Sequence, residues 1–348
     1  MSATTTWGTT TGSLLRASGL RAAYSTGGDT EVMAVDDVSI DLREGEVLGI
    51  AGESGSGKST LGAVLSLTHR PPLYVKSGEL EVEGEILRLG AGQEPPRLWR
   101  GKVVSLLPQG AMNSISPTLR IRDFAYDVIR AHEPGAKRSE AIDRARQRLT
   151  QLSLPPRVLD YYPHQLSGGM KQRVVTVLST LLDPKLLIAD EPTSALDVSS
   201  QRILIEMLRD MLEQRIISGV IFVTHDLPVL NTVADRIAIM YAGKVVEIGA
   251  AQEIINRAWH PYSGALLNSV LVPEPQVRRR RVAGIPGSPP NLANPPKACR
   301  FHPRCSLAMD ICSEEDPPEV GDERRFSACW WSQSNPGKSV LSVSEVAG

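Results

Sequence analysis

The chain has 348 residues, of which 41% are hydrophobic, and its formal net charge at pH 7 is −1. This length can bury one large core and leaves room for a smaller appendage. Basic and acidic residues nearly cancel, 38 against 39, so we expect no nucleic acid among the partners. No apolar run approaches the roughly 20 residues that cross a bilayer, and the N-terminus lacks a signal pattern. We therefore expect a cytosolic chain that meets a membrane only through partners.

The N-terminal region is expected to begin with a disordered stretch, residues 1–13, which is rich in Thr and Ser. A β-rich segment follows, in which residues 35–42 alternate between apolar and polar side chains. This alternation is typical of a strand with one buried face. The apolar residues 47–50 predict a further strand that leads into the next motif.

Residues 52–60 form the most informative motif, because they fit the pattern G-x-x-x-x-G-K-[ST] directly after a predicted strand. In such a loop, backbone N–H groups converge on the α- and β-phosphates of a nucleotide. Lys58 would reach the β- and γ-phosphates, and the Ser59 hydroxyl would ligate Mg²⁺. The alternative is a flexible Gly/Ser loop, but such a match arises by chance in only about one chain in a hundred of this length. The candidate binding residues are Gly52, Ser54, Gly55, Ser56, Gly57, Lys58, Ser59 and Thr60.

The middle of the chain is predicted to change from strand to helix. Residues 102–107 resemble a buried strand that ends at Gln109. From about residue 121 to 182, apolar residues recur at three- and four-residue spacing between charged ones, which predicts a helical region. Within it, the sequence Leu-Ser-Gly-Gly ends at Gly169, and Ser167 and Gly168 open a helix whose N–H groups could bind an anion. Another amphipathic helix is predicted at residues 200–212.

Two carboxylates, Asp190 and Glu191, end an apolar segment at residues 186–189. Phosphoryl transfer depends on positioning and charge neutralisation, so Asp190 would hold Mg²⁺ through water and Glu191 would act as general base on the attacking water. His225 follows the apolar residues 220–223 and would contact the γ-phosphate. Solvated carboxylates and an ordinary core histidine are the alternatives, which the surrounding motifs disfavour.

All four cysteines lie in the last 50 residues, which random placement would give only about once in two thousand times. Disulfides are disfavoured in a cytosolic protein, which leaves a shared metal or cluster site. The spacing C-x5-C-x6-C-x16-C lacks the tight pair typical of structural zinc. Four thiolates suit a [4Fe–4S] cluster, while zinc and unligated thiols remain the alternatives. The candidate ligands are Cys299, Cys305, Cys312 and Cys329.

The order of these motifs resembles that of the ATP-binding cassette (ABC) family. The resemblance implies an α/β fold, a P-loop ABC ATPase domain with an α/β core, a β-rich subdomain and a helical subdomain, plus a small C-terminal extension. It also implies that Tyr24, 28 positions before Gly52, stacks on adenine and that Gln109 contacts Mg²⁺ and the attacking water. The signature at 167–169 would bind the γ-phosphate of ATP held by a facing subunit, with Asp197 at the dimer seam. One chain would then form half of each active site.

A finer resemblance, over about residues 14–332, is to the ATPase subunits of dipeptide and oligopeptide importers. It implies three kinds of partner: two transmembrane permease subunits, a second cassette ATPase and, indirectly, an extracytoplasmic solute-binding protein. For the second ATPase, a paralogue is favoured over a second copy of this chain. The chain would lie peripherally on the cytoplasmic face of the membrane. Gly110 and Ala111 depart from the family pattern, which has an acidic residue and Pro there. The resemblance is carried by residues 162–165, 188–198, 260–262, 285–292 and 299–305.

The predicted organisation has four parts. Residues 14–270 would form the nucleotide-binding domain, with a helical subdomain at about 121–182, and 271–332 the cysteine-containing extension. Residues 333–348 are expected to be disordered, and the basic run at 278–281 is interpreted as a solvated linker. Peptides are the expected cargo, with oligosaccharides or nickel chelates as alternatives. A soluble cassette ATPase acting on DNA or ribosomes is disfavoured, because those proteins usually carry two cassettes or long insertions.

Overall fold

The computed structural model describes residues 12–27, 31–90, 95–111, 114–269 and 284–341. The chain folds into two compact units. The first unit comprises the described residues within 12–64, 69–90 and 224–341, and the second comprises 65–68 and those within 95–223. The predicted boundary at residues 270 and 271 and the basic run at 278–281 lie outside the described residues, as do residues 1–11 and 342–348 of the expected disordered ends.

The strands and helices follow the predicted alternation along the chain. The strands are β1 (Ser13–Ser25), β2 (Glu31–Arg43), β3 (Val47–Ala51), β4 (Leu73–Val82), β5 (Glu85–Gly90), β6 (Val104–Leu107), β7 (Leu186–Asp190), β8 (Gly219–Val223), β9 (Arg236–Tyr241), β10 (Lys244–Ala250), β11 (Glu319–Gly321) and β12 (Phe326–Ala328). The helices are α1 (Lys58–Leu65), α2 (Ile121–His132), α3 (Arg138–Gln151), α4 (Gly168–Ser179), α5 (Val198–Glu213), α6 (Leu227–Val233), α7 (Ala251–Arg257), α8 (Pro261–Asn268), α9 (Ile311–Glu314) and α10 (Trp330–Ser334).

The first unit contains an antiparallel sheet of four strands in the order β2-β1-β4-β5. Strand β1 pairs with β2 on one side, for example Ala17 opposite Ile40, and with β4 on the other, for example Leu15 opposite Val82. Both strands are long and alternate between buried and partly exposed residues, as expected of a sheet with one face on a core. This sheet contains the segment that the period-two pattern predicted.

The first unit also contains the neighbouring strands β11, β12, β10, β9 and β3 of a second sheet. Strand β3 runs parallel to β9, and its five residues are all buried, which is typical of a strand covered on both faces. Helix α6 packs on β3 so closely that a Cβ on Gly49 would lie 2.8 Å from Leu230 Cδ2. The cysteine-containing extension joins this sheet, because β12 pairs with β10 through Phe326 and Ser327.

The second unit is built on the parallel strands β6, β7 and β8, with β7 between the other two. Strands β7 and β8 are fully buried. The region predicted to be helical contains α2, α3 and α4, and the amphipathic helix predicted at 200–212 is α5. Within the described part of the chain, no helix combines the length and apolar character needed to span a membrane.

Two parts of the predicted disordered ends are ordered instead. Ser13 begins β1, and residues 333–341 belong to the first unit. Val340 is buried, its N–H donates to the carbonyl oxygen of Ala258 at 2.9 Å, and its side chain lies against Gly264. The tail is mostly polar, but Val340 and Leu341 place apolar side chains against Gly264 of α8.

Candidate functional site

The loop between β3 and α1 has the geometry of a phosphate cradle. The backbone of Gly57 has φ +102°, and a Cβ added there would lie 2.2 Å from the carbonyl oxygen of Ala34. The buried Lys58 ammonium donates hydrogen bonds to the carbonyl oxygens of Gly52 and Glu53, both at 2.8 Å. The loop therefore surrounds the Lys58 ammonium at the start of a helix, where the helix dipole favours an anion.

The other predicted loop residues divide into buried and exposed ones. Ser56 and Thr60 are buried, whereas Ser54, Gly55 and Ser59 are exposed. Ser59 lies in the first turn of α1. That backbone groups of this loop hold phosphate and the Ser59 hydroxyl holds Mg²⁺ stays a prediction.

Tyr24, the predicted adenine-stacking residue, lies next to the phosphate loop. It belongs to β1, and its hydroxyl is 3.1 Å from the Thr60 hydroxyl in α1. The structure thus brings together two parts of the chain that are 36 residues apart. Stacking of the Tyr24 ring on adenine remains a prediction.

In the second unit, the predicted carboxylates lie at the end of the central strand. Asp190 is the last residue of β7, and both it and Glu191 are only 9% exposed. Glu191 has φ +50°, and its N–H donates to the carbonyl oxygen of Val223 at 2.8 Å. Its own carbonyl oxygen accepts hydrogen bonds from the Ser194 N–H and hydroxyl, at 3.1 and 2.8 Å. These three hydrogen bonds fix the backbone of Glu191 and therefore the position from which its side chain extends.

The signature sequence and Asp197 are neighbours in the second unit. Ser167 caps α4 by accepting the Met170 N–H, and a Cβ on Gly169 would lie 2.6 Å from the Ser200 hydroxyl. Ser200 in turn donates its N–H and hydroxyl to the Asp197 carboxylate, both at 2.9 Å. These hydrogen bonds lower the pKa of Asp197. The first turns of α4 and α5 therefore meet, with Ser167, Gly168 and Asp197 exposed.

The remaining predicted residues are exposed at the ends of strands. Gln109 follows β6 in the second unit, and His225 follows β8 in the sequence and belongs to the first unit. Gln172 was missed by the sequence analysis: its buried amide donates to the carbonyl oxygen of Pro192 at 2.9 Å and ties α4 to the turn after Glu191. The signal was its place three residues after the signature.

Three further residues missed by the sequence analysis lie around the phosphate loop. The Glu53 carboxylate pairs with Arg304, and the Glu53 N–H donates to the Tyr262 hydroxyl at 2.8 Å. The sequence offered one signal, since Tyr262 follows a His-Pro pair at the start of α8. His260 accepts the Tyr262 N–H through Nδ1, and burial lowers the pKa of His260 to about 3, so the ring is neutral as this role requires.

The four cysteines lie in one part of the first unit. Cys312 and Cys329 are buried, Cys299 and Cys305 are half-buried, and the Cys299 N–H donates to the carbonyl oxygen of Cys312 at 3.1 Å. Burial, reinforced by the other thiols, raises the pKa of Cys299 to about 11 and that of Cys305 to about 12. However, the described residues contain no group of three or more His, Cys, Asp or Glu arranged to hold a metal ion. The four predicted ligands therefore lie in one part of the unit, but within the described residues they do not form a metal-binding group.

Comparison with known proteins decides the family. Residues 35–194 match the model of the ABC transporter family, and residues 246–312 match that of the oligopeptide/dipeptide transporter C-terminal region. The chain is 42% identical to a dipeptide transport ATP-binding protein, DppD, of Caldanaerobacter subterraneus over 87% of this chain and 92% of that protein. The chain belongs to the ABC transporter ATP-binding proteins. The predicted family and the predicted ATPase class are therefore confirmed.

Two further similarities agree with this assignment. An oligopeptide transport ATP-binding protein, OppD, of Bacillus subtilis is 42% identical over 88% of this chain and 85% of its own length. Among solved structures, a dimeric post-hydrolysis state of the ATP-binding cassette MJ0796, bound to ADP and Pi, aligns with a TM-score of 0.58 at 25% identity. That alignment covers 68% of this chain and 98% of the cassette, which confirms the predicted ABC ATPase fold.

Proposed function

We propose that this chain is the ATP-hydrolysing subunit of a membrane importer for dipeptides or oligopeptides. The observation that carries the cargo class is the match of residues 246–312 to the C-terminal region of oligopeptide/dipeptide transporters. Relatives named for dipeptide and for oligopeptide transport align with 87% and 88% of this chain. No observation favours oligosaccharides or nickel chelates.

In this proposal, the first unit binds the nucleotide. Backbone N–H groups of residues 52–60 hold the phosphates, and Lys58 supplies the positive charge that ATP requires. The carbonyl contacts of Lys58 support this role, because they keep the ammonium inside the loop before any phosphate arrives. Tyr24 stacks on adenine. Mg²⁺, held by Ser59, Gln109 and Asp190, would neutralise the charge that develops on the transferred phosphoryl group.

Glu191 is the proposed general base. It accepts a proton from the attacking water, while Gln109 orients that water and His225 contacts the γ-phosphate. The fixed backbone of Glu191 supports this assignment, since a base contributes most when its position is set in advance. The side-chain amide of Gln172 donates a hydrogen bond to the carbonyl oxygen of Pro192, which stabilises the turn that follows Glu191.

We also propose that two cassette subunits share each active site. Ser167, Gly168 and Gly169 would bind the γ-phosphate of ATP held by a facing subunit, and Asp197 would lie at the seam. Their position at the exposed starts of α4 and α5 supports this, as does the dimeric state of the similar cassette structure. The facing subunit is proposed to be a paralogue, with two permease subunits and, indirectly, a solute-binding protein completing an assembly at the cytoplasmic face of the membrane.

A [4Fe–4S] cluster on the four cysteines remains part of the proposal, with zinc as the alternative. The support is the donor set itself, since four cysteines in one part of the first unit are the ligands that such a cluster takes. Because burial raises the pKa of Cys299 and Cys305, metal binding would have to release their protons and draw the sulfurs into a ligand set.

Co-purification tests the assembly. The tagged full-length chain is expressed with its neighbouring genes, solubilised in mild detergent, and its partners are identified by mass spectrometry. We expect two multi-span proteins and a second cassette ATPase. Recovery of the chain with ribosomes or DNA-repair proteins, and without any multi-span protein, would contradict the proposal.

A further inference from the structure

We infer that Arg304 is a positioning residue for the phosphate loop, through which the C-terminal extension sets the affinity for ATP. Arg304 directly precedes Cys305, and its partner Glu53 is the second residue of the loop. Nη1 of Arg304 lies 2.7 Å from Oε2 of Glu53, and Nη2 lies 3.1 Å from Oε1. The pair is therefore bidentate, which fixes direction as well as distance. The inference rests on the proposed role of the loop in binding ATP, but not on the cargo.

Arg304 is itself held rigidly. Its side chain is only 6% exposed, its Nε donates to the carbonyl oxygen of Pro286 at 2.7 Å, and Nη1 is 3.3 Å from the Tyr241 hydroxyl. The guanidinium also lies 5.8 Å from the centre of the Tyr241 ring. Exposed ion pairs contribute little because both side chains must be ordered. Here the guanidinium is ordered by contacts of its own, so Glu53 meets a preformed partner.

Glu53 connects this arginine to the phosphate-binding lysine of the loop. Its side chain is held by Arg304, its N–H by the Tyr262 hydroxyl at 2.8 Å, and its carbonyl oxygen accepts a hydrogen bond from Lys58 at 2.8 Å. Burial raises the pKa of Tyr262, which keeps the hydroxyl neutral. A displacement of Glu53 would therefore move a carbonyl group that holds the Lys58 ammonium in place.

The same extension segment reaches the other end of the loop. Arg300 hydrogen-bonds to the Asp36 carboxylate and to the carbonyl oxygen of Ala242. The next residue, Gly243, donates its N–H to the carbonyl oxygen of Ser56 in the loop at 2.8 Å. Two arginines of one short segment thus act on the loop, Arg304 directly and Arg300 through a turn. Phe301, between them, packs on the rings of Tyr241 and Tyr262, with centroids 5.2 and 5.3 Å away.

A purely structural role, in which Arg304 only docks the extension, can be separated from positioning. Arg325 provides the matched control, since its side chain is 10% exposed and it also ties the extension to the rest of the first unit. It pairs with Glu253 at 3.4 Å and lies 3.9 Å from the centre of the Trp259 ring. None of its described ion pairs or hydrogen bonds involves residues 52–60. If the two arginines only docked the extension, substituting either one would change ATP binding to the same extent.

The test measures binding of a fluorescent ATP analogue to the purified full-length chain. We expect Arg304→Gln to raise Kd about tenfold, since contacting residues in one network typically couple on this scale. Arg304→Lys keeps the charge but loses the bidentate geometry, so we expect at least a threefold rise. Arg325→Gln should lower the melting temperature and leave Kd within twofold. In the assembled transporter, Arg304→Gln should raise KM for ATP more than it lowers kcat.

A charge effect is tested with Glu53. If Arg304 acted only by neutralising Glu53, the double variant Arg304→Gln/Glu53→Gln would bind ATP like the wild type. Positioning predicts that the double variant stays within twofold of Arg304→Gln. The inference is overturned if Arg304→Gln binds within twofold of the wild type, if Arg304→Lys or the double variant restores wild-type affinity, or if Arg325→Gln weakens binding equally.

Lys58→Ala separates this inference from the proposed site. It should abolish ATP binding if the loop binds the phosphates. Wild-type affinity in Lys58→Ala would contradict the proposed site and the inference together. Loss of binding in Lys58→Ala with unchanged binding in Arg304→Gln would contradict the inference alone.

Discussion

Substituting Gly57 by Ala should destroy the phosphate loop, whereas the same change at Gly55 should be tolerated. Both glycines have positive φ, +102° and +79°, so each alanine variant incurs a conformational cost of roughly 1–2 kcal/mol. Only Gly57 also meets an obstacle, since its new Cβ would lie 2.2 Å from the carbonyl oxygen of Ala34, while a Cβ on Gly55 would have nothing within 4 Å. The difference in ATP affinity between the two variants therefore measures the effect of the steric clash at Gly57 alone.

The size of that term follows from the contact. Real Cβ atoms essentially never approach closer than 3.0 Å, so loop and β2 must separate by about 0.8 Å, the difference between 3.0 and 2.2 Å. The loop and β2 meet through backbone atoms, which cannot simply rotate away. A displacement of this size at a functional site can lower its activity about a hundredfold. We expect Gly57→Ala to raise Kd for ATP at least a hundredfold and Gly55→Ala less than tenfold, measured by equilibrium titration with circular dichroism as the folding control. Binding by folded Gly57→Ala within threefold of the wild type would refute the reasoning.

Four further outcomes are expected. Glu191→Gln should lower steady-state ATPase activity of the assembled transporter roughly 10²–10⁴-fold with ATP affinity retained, and near-normal turnover would remove Glu191 from the role of base. The isolated chain, verified as a monomer by light scattering, should hydrolyse ATP far more slowly than the complex; equal rates would contradict the shared site. Anaerobically purified protein should contain about four iron atoms per chain and absorb near 400 nm, and the Cys305→Ser variant should lose both. Stoichiometric zinc in place of iron would favour the zinc alternative. Absence of any metal would contradict the ligand site. His260 must become charged on unfolding in acid, because burial lowers its pKa to about 3 in the folded protein from an ordinary value of 6.5. Stability should therefore fall as the pH drops below about 6.5, by about 2 kcal/mol between pH 7 and pH 5, and the loss should shrink in His260→Asn; an equal loss in that variant would contradict the assignment.

Sequence patterns predicted the parts of the fold that depend on local order. Buried parallel strands such as β3 and β7 are continuous apolar runs, and the phosphate loop is defined by residue types at fixed spacing. Helix α5 follows from the apolar spacing of its residues, and the structure adds that Asp197 caps it. These features need only neighbouring residues, so one sequence suffices to find them.

Features that depend on distant partners were missed for a corresponding physical reason. Arg304 and Glu53 are 251 residues apart, and no local pattern links them. Strand β12 has only three residues, too few for a periodic signal, and gains its structure by pairing with β10. The extension therefore looked like a separate appendage, although it completes the sheet of the first unit. The cysteine spacing indicated a shared site but could not give the relative positions of the sulfur atoms.

The central claim, that this ATPase energises peptide import, is tested most directly by uptake into vesicles. The complete transporter, with its solute-binding protein, is reconstituted with this chain facing the ATP compartment. We expect accumulation of labelled dipeptide or oligopeptide that requires ATP and stops in the Glu191→Gln variant, with no uptake of an oligosaccharide or a nickel chelate. Uptake of one of those cargoes in place of peptide, or peptide uptake unaffected by Glu191→Gln, would contradict it.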